Sequence, residues 1–108
     1  GLVKLAGADI DRQLQDDAER KARKQLDRDA EAEDFKWLMG SKRGRRIAWR
    51  LLEDSGVFRL SFSTDPLQMA FNEGNRNFGN RVLALVHAHC PEKYPTMIKE
   101  QSDGHPDD

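Results

Sequence analysis

From residue 9 to residue 32 the chain runs without a glycine or a proline, and its side chains are mainly Ala, Gln, Arg, Lys, Glu, Asp and Leu. Most of these favour the helix, so the segment is expected to form one long helix. Its apolar positions, Ile10, Leu14, Ala18, Ala22 and Leu26, recur every four residues. That spacing drifts around a helix and leaves a narrow stripe in which two of the five members are only alanine. At about 0.8 kcal/mol per buried methylene, so thin a stripe cannot offset the entropy of ordering the helix unless a second surface covers it. Ile10, Leu14 and Leu26 are therefore candidate contact residues of a charged arm. They pack either on the chain's own domain or on another chain.

The whole sequence has 108 residues, 37% hydrophobic and 34% charged. That length excludes two full domains but allows one modest core, burying roughly 60–70% of the unfolded surface without disulfide or metal staples. The formal net charge of -1 excludes the globally basic balance of a nucleic-acid coat. By segment the balance is uneven. Residues 1–34 hold 7 basic and 10 acidic side chains (-3), residues 35–99 hold 11 and 5 (+6), and residues 100–108 hold 4 acidic and no basic ones (-4). A basic centre between acidic ends attracts an anionic partner, its own tails or complementary neighbours. Cys90 is the only cysteine, so no internal disulfide forms and a reduced compartment fits. No apolar run approaches the roughly 18 residues of a membrane span.

Aromatic and aliphatic residues first cluster at Asp34-Phe35-Lys36-Trp37-Leu38-Met39-Gly40, where a compact domain is expected to begin. Asp34 suits the N-cap of a short helix burying Phe35, Leu38 and Met39, with Gly40 in a left-handed conformation at its end. Ser41 suits the next cap. Over residues 42–54, Ile47, Ala48, Leu51 and Leu52 predict one helical face, with Arg43, Arg46 and Arg50 on another side and Ser55-Gly56 as the stop. Residues 57–62 lack a partner strand and read as an extended connector whose aromatic residues plug the core. Ser63-Thr64-Asp65-Pro66 starts a long helix, with a polar N-cap and Pro at the first helical position. Its seam is Leu67, Phe71, Gly74, Phe78, Val82, Leu85 and His89, with Gly74 at a close helix crossing, and Cys90-Pro91 ends it. A short helix over residues 95–101 buries Met97 and Ile98, and an acidic tail follows.

Catalytic chemistry finds little support in these residues. His87, His89, His105 and Cys90 are the only imidazoles and thiol, and they supply neither a nucleophile motif nor four converging zinc ligands. The sharpest feature is the basic cluster of Lys42, Arg43, Arg45 and Arg46, extended one turn by Arg50. Like charges this dense repel unless an anion is near, and guanidinium forks at a helix start suit carboxylate or phosphate. Solvent, protein carboxylates and DNA each satisfy that demand. A second polar constellation, Glu73, Asn75, Arg76 and Arg81, lies inside the apolar helix. It reads as a hydrogen-bonded network against another element, with Glu73 pairing to Arg76 or Arg81.

The order of Asp34-Phe35-Lys36-Trp37-Leu38-Met39, Gly44-Arg45-Arg46, Leu51-Leu52, Ser55-Gly56-Val57-Phe58, Ser61-Phe62, Glu73-Gly74-Asn75-Arg76 and Pro91-Glu92-Lys93-Tyr94 with Met97 resembles a small domain family. The family belongs to short-tailed bacteriophages and was first named from a Bordetella phage. The resemblance spans residues 34–101. It implies a protein encoded among head and tail assembly genes, without a catalytic assignment, and no site residue is carried over from it.

The expected fold is all-α: a charged helical arm (1–33), a compact helical domain (34–101) and an extended or disordered acidic tail (102–108). The expected function is that of a non-enzymatic virion or assembly protein, made in the host cytoplasm and carried in the virion. Its expected partners are other phage structural proteins: portal, adaptor or internal head proteins. The expectation includes several copies in a symmetric assembly, no cofactor, no metal and no membrane. The alternative is a DNA-binding accessory protein of genome packaging or ejection.

Overall fold

The structure, a computed structural model, describes residues 2–103, with side chains from residue 7 onward. The described residues form four helices and no strand: α1 (Leu2–Met39), α2 (Lys42–Ser55), α3 (Pro66–His89) and α4 (Lys93–Asp103). The fold is all-α. The chain divides into two compact units, Gly1–Ala32 and Glu33–Asp108. Of the expected tail, Ser102 and Asp103 belong to α4 and the rest lies outside the described residues.

In the first unit no described side chain is buried. Neighbours one turn apart hold each other: Arg20 pairs with Asp17 at 2.5 Å, Gln25 donates to Asp29 at 2.8 Å and Arg28 donates to Gln25 at 3.0 Å. Such local contacts stabilise a helix by only a few tenths of a kcal/mol each.

The second unit has a small core of Met39, Ala48, Leu52, Val57, Val86, Cys90 and Met97, with Phe35, Leu38, Trp49, Leu83, Tyr94 and Ile98 packed against it. α2 lies against both α3 and α4. Ser41 caps α2 by accepting from the Gly44 amide at 3.0 Å, and Gly56 closes it in the left-handed conformation at φ 75°. Asp65 caps α3 by accepting from the Leu67 amide at 3.0 Å, with Pro66 in the first turn. The connector after α2 forms no strand, but only residues 60–63 run without a turn or bend; residues 57 and 58 lie in a turn closed by the Arg59 amide donating to the Gly56 carbonyl at 3.0 Å.

Four local expectations are corrected. Asp34 caps nothing, because α1 continues through it to Met39; no glycine or proline interrupts the backbone there. Gly40 is not left-handed, since Gly56 is the only positive-φ glycine among the described residues. The connector aromatics do not plug the core: Phe62 is 76% exposed, and Phe58 stacks on Trp49 at 5.2 Å near the surface. Val57 enters the core instead, directed inward by the turn at Gly56.

The first half of the α3 seam is the fourth correction; in its second half Val82 packs against the core, and Leu85 and His89 are half-buried. Leu67, Phe71 and Phe78 are 83%, 64% and 55% exposed, while Gly79, Val86 and Cys90 are buried about 100° round the helix. The close crossing therefore falls at Gly79, not Gly74. A Cβ at Gly79 would strike Ser55 Oγ and come within 2.8 Å of Val57 Cβ, whereas one at Gly74 would meet nothing within 4 Å. Length explains the exposure. At 1.5 Å per residue, the 24 residues of α3 span about 36 Å, against about 21 Å for the 14 of α2 and about 16 Å for the 11 of α4.

Candidate interaction surface

The five cations predicted as one cluster separate according to the face of α2 they occupy. Arg45 turns inward, 12% exposed, and its Nε meets Glu100 Oε1 of α4 at 2.5 Å while Nη1 donates to the Met39 carbonyl at 2.8 Å. Lys42, Arg43, Arg46 and Arg50 are exposed, and none of them is ion-paired among the described residues. Gly44, buried between these cations, lets the start of α2 pass the end of α1. A Cβ there would collide with the Leu38 carbonyl oxygen.

Apolar side chains share the outward face. Ala48 and Leu52 are buried, but Ile47 and Leu51 are 44% and 58% exposed beside Arg43, Arg46 and Arg50. The four residues expected on one apolar face thus split between two. The outer face of α2 combines guanidinium forks with an isoleucine–leucine pair one turn apart, a surface suited to a partner carrying both carboxylates and apolar side chains.

The arm residues Ile10, Leu14 and Leu26 are 59%, 61% and 67% exposed. The polar constellation of α3 is only partly joined. Glu73 and Arg76 stand 3.9 Å apart, while the Arg81 guanidinium lies 5.6 Å from the Phe78 ring centre. Asn75 borders a cleft with Asn72, Arg59 and Leu60. Asn72, not singled out from sequence, ties the connector to α3 by donating to the Ser61 carbonyl at 3.3 Å.

The imidazoles and the thiol serve separate contacts. His87 meets the Tyr94 ring edge-on at 4.9 Å, His89 tilts against Phe35 at 6.1 Å, and the buried Cys90 thiol donates to the Phe35 carbonyl at 3.8 Å. Burial pushes the Cys90 thiol above its ordinary range, and Glu92 adds to that; Lys36 and Lys93 oppose it. Among the described residues no three His, Cys, Asp or Glu side chains gather where they could hold a metal ion. No helix there is long and apolar enough to cross a membrane.

Glu100 is the residue sequence reasoning missed. A signal was present: it lies three positions after the buried Met97, so it shares the inner face of α4 and needs a cation there.

The structure defines an all-α domain with an outward basic face and exposed apolar residues, and comparison with known proteins supplies its origin. The model for Bbp19-like phage proteins matches residues 35–99, and the chain belongs to that bacteriophage family. No curated protein and no solved structure matches the chain.

Proposed function

We propose that this phage protein is a non-enzymatic component of the particle or of its assembly, held by protein–protein contacts near the portal or head-to-tail junction or inside the head. The observation that carries the reading is the outer face of α2, where Arg43, Arg46 and Arg50 stand exposed beside Ile47 and Leu51. Exposed apolar residues ringed by arginine suit a protein interface, where Arg bonds carboxylates bidentately and the apolar pair is desolvated. The arm, with Ile10, Leu14 and Leu26 uncovered, supports the same reading, since such a stripe suits a groove on another chain. Portal, adaptor and internal head proteins are the partners favoured, on the ground of the family. Several copies in a symmetric assembly would repeat each contact.

The test is incorporation. Replacing Arg43, Arg46 and Arg50 together by Glu leaves the Arg45–Glu100 pair intact, so the protein folds. The variant is expected to be lost from purified particles, and normal incorporation would remove this face from the proposal. A second reading, DNA binding during packaging or ejection, is favoured by the same three unpaired arginines. It requires an affinity for duplex DNA that falls steeply with salt, with a slope of about 0.9 per phosphate neutralised.

A further inference from the structure

The exposed stripe of α3 is distinct from the basic face of α2. Leu67, Phe71, Gly74 and Phe78 fall on one side of the helix, all exposed. Of the charged residues of α3, Glu73 and Arg76 lie toward the opposite side and face each other at 3.9 Å, while Arg81 borders the stripe with its guanidinium 5.6 Å from the Phe78 ring centre.

We propose that this stripe is the contact surface for a second copy of this chain, with two α3 helices crossing antiparallel at Gly74 about a two-fold axis. A two-fold contact needs a patch complementary to itself, and the order of residues here has that property. Leu67, Phe71, Phe78 and Val82 are placed symmetrically about the midpoint between Gly74 and Asn75. An antiparallel crossing at that midpoint sets Phe71 against Phe78 of the second copy and Leu67 against its Val82. Val82 already packs against the core and continues the stripe toward it.

The glycine is the second observation. Gly74 weakens the helix relative to alanine, yet a Cβ there would meet nothing within 4 Å. Its own fold does not require it, in contrast to Gly44 and Gly79. At the centre of a helix crossing, a missing side chain lets two backbones come close. Charge placement is the third: in this register Arg81 of one copy faces Gln68 of the other and not its own counterpart, so the two arginines do not oppose each other.

The area sets the strength. With aromatic side chains offering about 150–250 Å² each and leucine somewhat less, Leu67, Phe71 and Phe78 supply on the order of 400 Å² per copy, below the roughly 800 Å² of a standard interface. The dimer is therefore weak and reversible by itself, and contacts with a shared partner strengthen it by raising the local concentration.

The inference does not depend on the chain's place in the particle, so the full-length purified protein tests it. Sedimentation equilibrium is expected to show a monomer–dimer equilibrium. Phe71→Asp and Phe78→Asp, each with unchanged far-ultraviolet circular dichroism, should weaken dimerisation by about tenfold or more. Gly74→Ala should weaken the dimer while raising the melting temperature of the dilute monomer. Under mild oxidation, Asn75→Cys is expected to yield a covalent dimer that disappears in the Phe71→Asp background; the buried Cys90 stays silent. A wild-type chain that remains monomeric at all concentrations would overturn the proposal. So would a dimer indifferent to Phe71→Asp and Phe78→Asp, or assembly into open chains larger than a dimer.

Discussion

Arg45 and Glu100, fifty-five positions apart, are joined at 2.5 Å with their side chains 12% and 16% exposed, so one arginine of a surface-looking basic cluster is a tie between α2 and α4. The same guanidinium bonds the Met39 carbonyl where α1 ends. One side chain thereby holds three helices. Removing one member of a buried pair leaves the other charge uncompensated, and Glu100→Ala is expected to cost about 3 kcal/mol in urea unfolding. Arg45→Met with Glu100→Leu should recover most of that loss, because an apolar pair of similar volume leaves no buried charge.

Gly79 and Gly44 are fixed by their neighbours. Gly79→Ala forces a methyl against Ser55 and Val57, and overpacking of this kind costs about 1–3 kcal/mol. Gly44→Ala meets the rigid Leu38 backbone instead of a side chain and should cost more than Gly79→Ala. Denaturant midpoints of the two variants check the order.

Deleting residues 1–32 should leave the second unit folded. The core of that unit is built from residues after 34, and no described side chain of the first unit is buried. Unfolding free energy is expected to change by less than about 1 kcal/mol, the scale of surface changes. If the truncated chain loses its cooperative transition, the arm is a packing element and not a free contact segment.

The raised proton affinity of the Cys90 thiol has a signed consequence. The folded state favours the neutral thiol, so this contribution to stability is fully present at neutral pH. It is lost as pH rises above about 9, through the folded-state value. Compared with Cys90→Ala, the wild-type chain should lose stability more steeply over that range. Parallel stability–pH curves would show that Cys90 makes no such contribution.

Much of this architecture is legible in the sequence, and the failures share a cause. The Ser41 and Asp65 caps, the Gly56 stop and the connector after it follow from local chemistry and appear in the structure. What local chemistry does not encode is which of two apolar faces turns inward. α3 carries one face through Leu67, Phe71 and Phe78 and another through Gly79, Val86 and Cys90, and periodicity selects the more aromatic one. α2 hides the same ambiguity in Ile47 and Leu51, set beside the buried Ala48 and Leu52. The basic cluster is visible as composition, but the inward turn of Arg45 depends on a carboxylate on the last helix. The spacing of Glu100 from Met97 marks one end of that pair, and nothing near Arg45 in the sequence marks the other.

The chain's proposed role as a particle component is tested most directly by quantitative mass spectrometry of purified virions alongside the lysate they came from. A fixed ratio of this chain to the portal protein, unchanged by high-salt washing or nuclease treatment, is the expected result. Complete, infectious particles that lack the chain, with all of it left in the lysate, would contradict the proposal.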